Sequence, residues 1–91
     1  MDIRRVFGIN VRLRRLKASL SQEALAERLG VDRAFVSSME RGQANVTLTT
    51  LWQVASAFSA ASAELLDESV SPDDYDPKVK APRRPRTRPA G

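Results

Sequence analysis

Apolar residues recur at spacings of three and four along the chain as far as Leu66, and the pattern is punctuated by serine, aspartate, threonine and glycine. That rhythm predicts five helical segments and no strand. The first runs from about Asp2 to Ala18, with Phe7, Val11 and Ala18 on one face and Leu13 and Leu16 off that stripe. The second opens at Ser21 and ends at Gly30; the third opens at Asp32 and ends at Gly42, just after Arg41. The fourth starts near Thr47 and carries Leu48, Leu51, Val54, Ala55 and Phe58; a last, short one holds Leu65 and Leu66 and fades by about Ser69. Ser21, Asp32 and Thr47 each offer a side-chain oxygen to the unpaired N–H groups of a helix start. Gly30 and Gly42 take the left-handed backbone of a sharp helix exit without strain. From Val70 onward the rhythm stops. All five prolines follow residue 71, and the last fourteen residues hold six basic side chains and no acid. The expected organisation is an all-α, five-helix domain over residues 1–69 and a disordered, basic, proline-rich tail over residues 70–91.

Composition removes several function classes. The chain has no cysteine and no histidine, so disulfides, thiolate metal sites and the usual imidazole general base are all missing. Zinc-finger, haem and Ser-His-Asp chemistry are excluded together; no metal, cofactor or enzyme activity is expected, because there is no nucleophile–base pair either. No apolar run approaches the roughly 18 residues of a membrane span, and no signal peptide opens the chain. A cytoplasmic location away from the membrane is the expectation.

The net charge of +4 is unevenly placed. Residues 1–41 hold nine basic and five acidic side chains, whereas residues 42–69 hold three acids and no base. One end of the folded part is positive and the other negative, a polarity suited to a polyanion on one side.

Residues 20–42 carry the sharpest signal, because two helices crossing around a short turn need particular residues at fixed offsets. Ala26 faces the second helix of the pair, where a larger side chain would push the two apart. Gly30, four residues on, supplies the turn, and Leu25, Leu29, Val31, Val36 and Met39 supply the buried set. With Gln22 at the start, all eight sites are filled as a helix-turn-helix requires. Any one match is weak, but the whole set is strong.

The stretch from Phe7 to Leu66 resembles the phage-repressor-type (XRE) helix-turn-helix family. The marks are Leu20-Ser21-Gln22-Glu23, Leu25-Ala26, Asp32-Arg33, Ser37, Glu40-Arg41-Gly42 and the run from Asn45 to Leu51. The resemblance implies a five-helix, repressor-like fold that binds double-stranded operator DNA as a symmetric homodimer. The Asp-Arg start and the Asn-x-Thr loop also resemble restriction–modification controller proteins, although Ala44 stands where those often carry arginine. Ser19 and Ser59 stand where the family usually has glycine, at an expected cost of about 1 kcal/mol each. Arg14 replaces a common core leucine; its aliphatic stem is expected to lie along the core.

In that architecture the third helix enters the major groove, which makes Arg33, Ala34, Ser37 and Ser38 the candidates for base contact. Guanidinium pairs bidentately with guanine O6 and N7, Ala34 can touch a thymine methyl, and the serines can bond bases or phosphates. The alternative for Arg33 is a solvated or phosphate-facing arginine. Gln22, at the start of the second helix, is a candidate phosphate contact or a plain cap. Arg41, Gln43 and Asn45 are candidates to track the backbone, with a self-bonded loop side chain the alternative for Asn45. Phe35 is expected to pack partly against the groove wall. The family's matching pair makes Arg15 and Glu40 a buried structural salt bridge. Trp52 and Phe58 are the expected dimer contact through helices four and five, against extra core packing for Trp52.

The tail admits three readings: solvated spacer, an arm attracted to phosphates, or a docking segment for a protein partner. The leading function is a transcriptional regulator on a pseudo-palindromic operator. The runner-up is the antitoxin half of a toxin–antitoxin pair that autoregulates its promoter and docks its partner through the tail. A third reading, an interaction module that has lost DNA, is opposed by Arg33, Arg41 and Gln22.

Overall fold

A computed structural model describes residues 2–70. Within them lie four α-helices, α1 (Ile3–Lys17), α2 (Gln22–Leu29), α3 (Arg33–Glu40) and α4 (Leu48–Ala57), then a 3-10 helix at Ser62–Leu66. The expected fifth α-helix is thus a 3-10 turn: five residues between Ala61 and Asp67 leave no length for a regular α-helical ladder. Most of the expected tail, residues 71–91, lies outside the described residues.

Local chemistry sets the helix boundaries. Asp2, Ser21, Asp32 and Thr47 each cap a helix, their side chains accepting from the N–H of Arg4, Ala24, Phe35 and Thr50. Each of the four helices ends in a left-handed residue, Ser19, Gly30, Gly42 and Ser59. The next residue's N–H then reaches back to a carbonyl five positions earlier: Leu20 to Arg15, Val31 to Ala26, Gln43 to Ser38 and Ala60 to Ala55. Two of these exits use glycine and two use serine, so the two serines carry backbone strain that the glycines do not.

The core is formed by Phe7 and Val11 of α1, Leu25 and Ala26 of α2, Val36 and Met39 of α3, Leu51, Val54 and Ala55 of α4, and Leu65. Truncating one of the larger of these to alanine costs roughly 2–5 kcal/mol in cores of this kind. α1 lies between α3 on one side and the 3-10 helix on the other, so Val6 to Val11 are buried without a break. Gly8 makes the α3 side of that sandwich close, because a Cβ there would meet the backbone of Met39 and Glu40. On the other side the buried Asn10 carboxamide donates to the carbonyls of Leu65 and Asp67, at 3.1 and 3.2 Å, and so ties down the end of the 3-10 helix.

Two apolar positions are not where the helical rhythm puts them. Ala18 is exposed, because it is the cap residue of α1 and the chain has already begun to turn. Leu48 is 82% exposed, since as the first residue of α4 it projects away from the stripe formed by Leu51, Val54 and Ala55.

Candidate nucleic-acid interface

α3 presents an outward face free of its own protein. Asp32 caps it at 2.8 Å from the Phe35 N–H, which leaves Arg33 and Ala34 exposed in the first turn and Ser37 and Ser38 half-buried one turn later. Among the described residues no acid pairs with the Arg33 guanidinium. Phe35 is half-buried and packs against the core; it also borders a shallow groove with Val31, Asp32 and Thr50.

The inner end of α3 is held by one carboxylate. Glu40, whose side chain has no exposed surface, accepts from Arg15 Nε at 2.6 Å. It also accepts from Arg15 Nη2 at 3.0 Å, Gln22 Nε2 at 3.1 Å and Arg12 Nε at 3.3 Å. The third arm of Arg15, Nη1, donates to the Leu20 carbonyl at 2.9 Å. One buried acid therefore joins α1, the start of α2 and the end of α3. It also orients Gln22, because the bonded amide nitrogen keeps a second N–H to offer outward. The expected Arg15–Glu40 pair is present as geometry, and it has two further members that the residue pattern did not indicate.

The loop after α3 holds Arg41, Gln43 and Asn45, all exposed, with the Arg41 Nε donating to the Ser37 carbonyl at 3.3 Å. The start of α1 lies beside this loop. Arg4 Nη1 donates to Asn45 Oδ1 at 3.5 Å, and the Arg5 stem lies so close to Gly42 that a Cβ there would sit 2.7 Å from Arg5 Cγ. Asp2 pairs with Arg4 at 2.8 Å, and the Arg4 side-chain and then backbone hydrogen bonds lower its carboxyl to about 2 from 3.8. That small contribution is complete above the ordinary value and lost as pH falls through about 2. The residue pattern did not single out Arg4 and Arg5; only the fold shows that they reach residues 42–45.

α4 differs in kind. From Gly42 to Ala63 the chain has no charged residue at all. On the outside of α4, Leu48 and Trp52 are 82% and 63% exposed, one helical turn apart. Trp52 is therefore not core within the single chain. Phe58 does not join it: it is half-buried against the core and borders a groove with Arg14, Lys17 and Arg28. Arg14 is half-buried and pairs with Glu64 at 3.3 Å. Among the described residues no helix is long and apolar enough to cross a membrane.

Comparison with known proteins agrees with this geometry. The Helix-turn-helix family HTH_3 matches residues 11–66. The control protein C.SmaI of Serratia marcescens is 44% identical over 66 residues, covering 72% of this chain and 79% of that one. A hypothetical transcription factor of Neisseria meningitidis is 40% identical over 65 residues, which span 71% of this chain but only 61% of the relative's length. Among solved structures, the restriction-modification controller protein C.AhdI from Aeromonas hydrophila superposes with a TM-score of 0.64 at 40% identity, covering 68% of this chain and 90% of that one.

Proposed function

The chain belongs to the XRE-type Helix-turn-helix family of DNA-binding transcription regulators, and on that premise we propose that it binds a pseudo-palindromic operator as a homodimer. The observation that carries the reading is the outward face of α3, where Arg33 is exposed and free of any acid among the described residues, and its neighbours are small. A helix so furnished can enter the major groove, with Arg33 on a guanine edge, Ala34 letting the helix approach, and Ser37 and Ser38 bonding bases or phosphates. Gln22 at the start of α2, and Arg41, Gln43 and Asn45 after α3, contact the backbone and set the register. One short helix spans too few base pairs for useful selectivity, so two copies read two half-sites about one helical turn apart. The uncharged outer face of α4, with Leu48 and Trp52, supports that pairing, since interface cores are depleted of charge and rich in large aromatics. Selection of bound duplexes from a random pool tests the reading. A two-fold symmetric consensus is expected; a pool that enriches no sequence would overturn it.

A second, narrower reading is control of a restriction–modification system. It is favoured by the control proteins among the relatives, C.SmaI and C.BamHI at 44% and 39% identity. Ala44 does not supply the arginine expected at that loop position, so the operator would differ from those of proteins that carry it. Binding upstream of a neighbouring restriction or methyltransferase gene is the expected result, and its absence from such promoters in genome-wide mapping would remove this reading while leaving the broader one.

A further inference from the structure

We propose that Arg5, with Arg4 and Arg41 beside it, forms a backbone clamp that grips a DNA phosphate at the exit of α3, outside the bases that α3 reads. The inference rests on the reading of α3 as the recognition helix. It joins residues far apart in the chain. Arg5 lies across Gly42, its Cγ 2.7 Å from where a Cβ would stand, and Arg4 reaches Asn45 Oδ1 at 3.5 Å. The start of α1 is thereby laid along the loop after α3, and Arg4, Arg5 and Arg41 form a positive ridge on which Gln43 and Asn45 add polar side chains.

Local energetics do not explain the two arginines. The first turn of a helix favours acids, because unpaired N–H groups give that end a positive partial charge. α1 has no acid in its first turn and two arginines instead. Asp2 offsets one of them, holding Arg4 at 2.8 Å. Arg5 is exposed and no acid pairs with it among the described residues, so its charge is the one left for a partner. Gly42 completes the arrangement. With φ at 76° it turns the chain sharply, and its missing side chain is what lets the Arg5 backbone and Cγ come so close to the turn. A phosphodiester beside the end of the recognition helix is the polyanion this ridge fits, and phosphate contacts of this kind set affinity and register but carry no base information.

The test is Arg5→Gln in the full chain, titrated at several salt concentrations on the selected operator and on a random duplex. Affinity is expected to fall by a similar factor on both. The slope of log affinity against log salt should become less steep by about 0.9 for each phosphate that the variant no longer neutralises. The selected consensus should be unchanged. Arg5→Lys should restore most of the slope, and Lys17→Gln, at the far end of α1, should leave it alone. A purely structural Arg5, serving only to offset the carbonyl end of α3, would change the unfolding midpoint without changing the slope, and that result overturns the clamp. Equal flattening by Lys17→Gln would mean bulk charge alone, and also overturns it. In both cases operator binding by the unaltered chain still stands; if that chain binds no DNA, the reading of α3 fails as well.

Discussion

α3 and α4 are built alike and turned to different uses. Both are short, both start at a side-chain cap, and both press a stripe into the same core, Val36 and Met39 from one and Leu51, Val54 and Ala55 from the other. Their outward faces diverge. α3 shows Arg33, Ala34 and two serines, with Arg41 at its end; α4 shows Leu48, Trp52 and uncharged polar residues. The inward positions are interchangeable in character because they answer to one demand, which is to fill a core. The outward positions answer to partners, and the partners proposed here differ in dielectric and charge. A polyanion favours exposed cations, whereas a protein surface favours large apolar groups without charges that must be desolvated.

The largest expected effect breaks the α3 side from within. Glu40→Ala removes the acid that pairs with Arg15 and Arg12 and accepts from Gln22, and it leaves a nearly buried guanidinium unpaired. A loss of roughly 3–5 kcal/mol of stability is expected in denaturant titration. A loss under about 1 kcal/mol would mean that the hub holds nothing together. The next effect belongs to α4. Trp52→Glu should weaken self-association by about 2 kcal/mol or more, roughly thirtyfold in the dissociation constant, with little change in the unfolding of the single chain because Trp52 is exposed there. Sedimentation should show the shift toward monomer; an unaltered chain that is already monomeric at high concentration would contradict the proposed use of α4.

A smaller effect sharpens the comparison at the helix exits. α3 leaves through a glycine at φ 76°, but α4 leaves through Ser59 at φ 55°. Ser59→Gly should therefore stabilise the domain, by up to about 1 kcal/mol, whereas glycine is already in place after α3. Thermal unfolding checks this, and an unchanged or lowered midpoint would show that Ser59 gains as much from its surroundings as it loses in strain.

The contrast also explains what could be read along the chain. The Ser21, Asp32 and Thr47 caps, the Gly30 and Gly42 exits and the core of α2 and α3 follow from local chemistry and from the spacing of the helix-turn-helix, whereas the serine exits and the Arg15–Glu40 pair were implied only by the family resemblance. α1 was harder, because a helix sandwiched between α3 and the 3-10 helix buries Val6 to Val11 in succession and has no single apolar stripe to find. Gly8 and Asn10 escaped for the same reason: a small residue and an amide look like solvent positions until a backbone is placed against them. Leu48 misled in the other direction. Its spacing of three from Leu51 puts it on the buried stripe, but as the first residue of α4 it projects away from that stripe and into the open. The joining of Arg4 and Arg5 to the loop at 42–45 is a tertiary fact with no local signal.

The central claim is that the outer face of α3 reads bases, and Arg33 is its sharpest point. Binding-site selection run in parallel on the unaltered chain and on Arg33→Ala tests it directly. The predicted result is a two-fold symmetric consensus in which the variant loses preference at one base pair per half-site, binds the original operator about 1–3 kcal/mol more weakly, and keeps every other preference. An identical consensus from both proteins would contradict the claim and move Arg33 to the phosphate backbone.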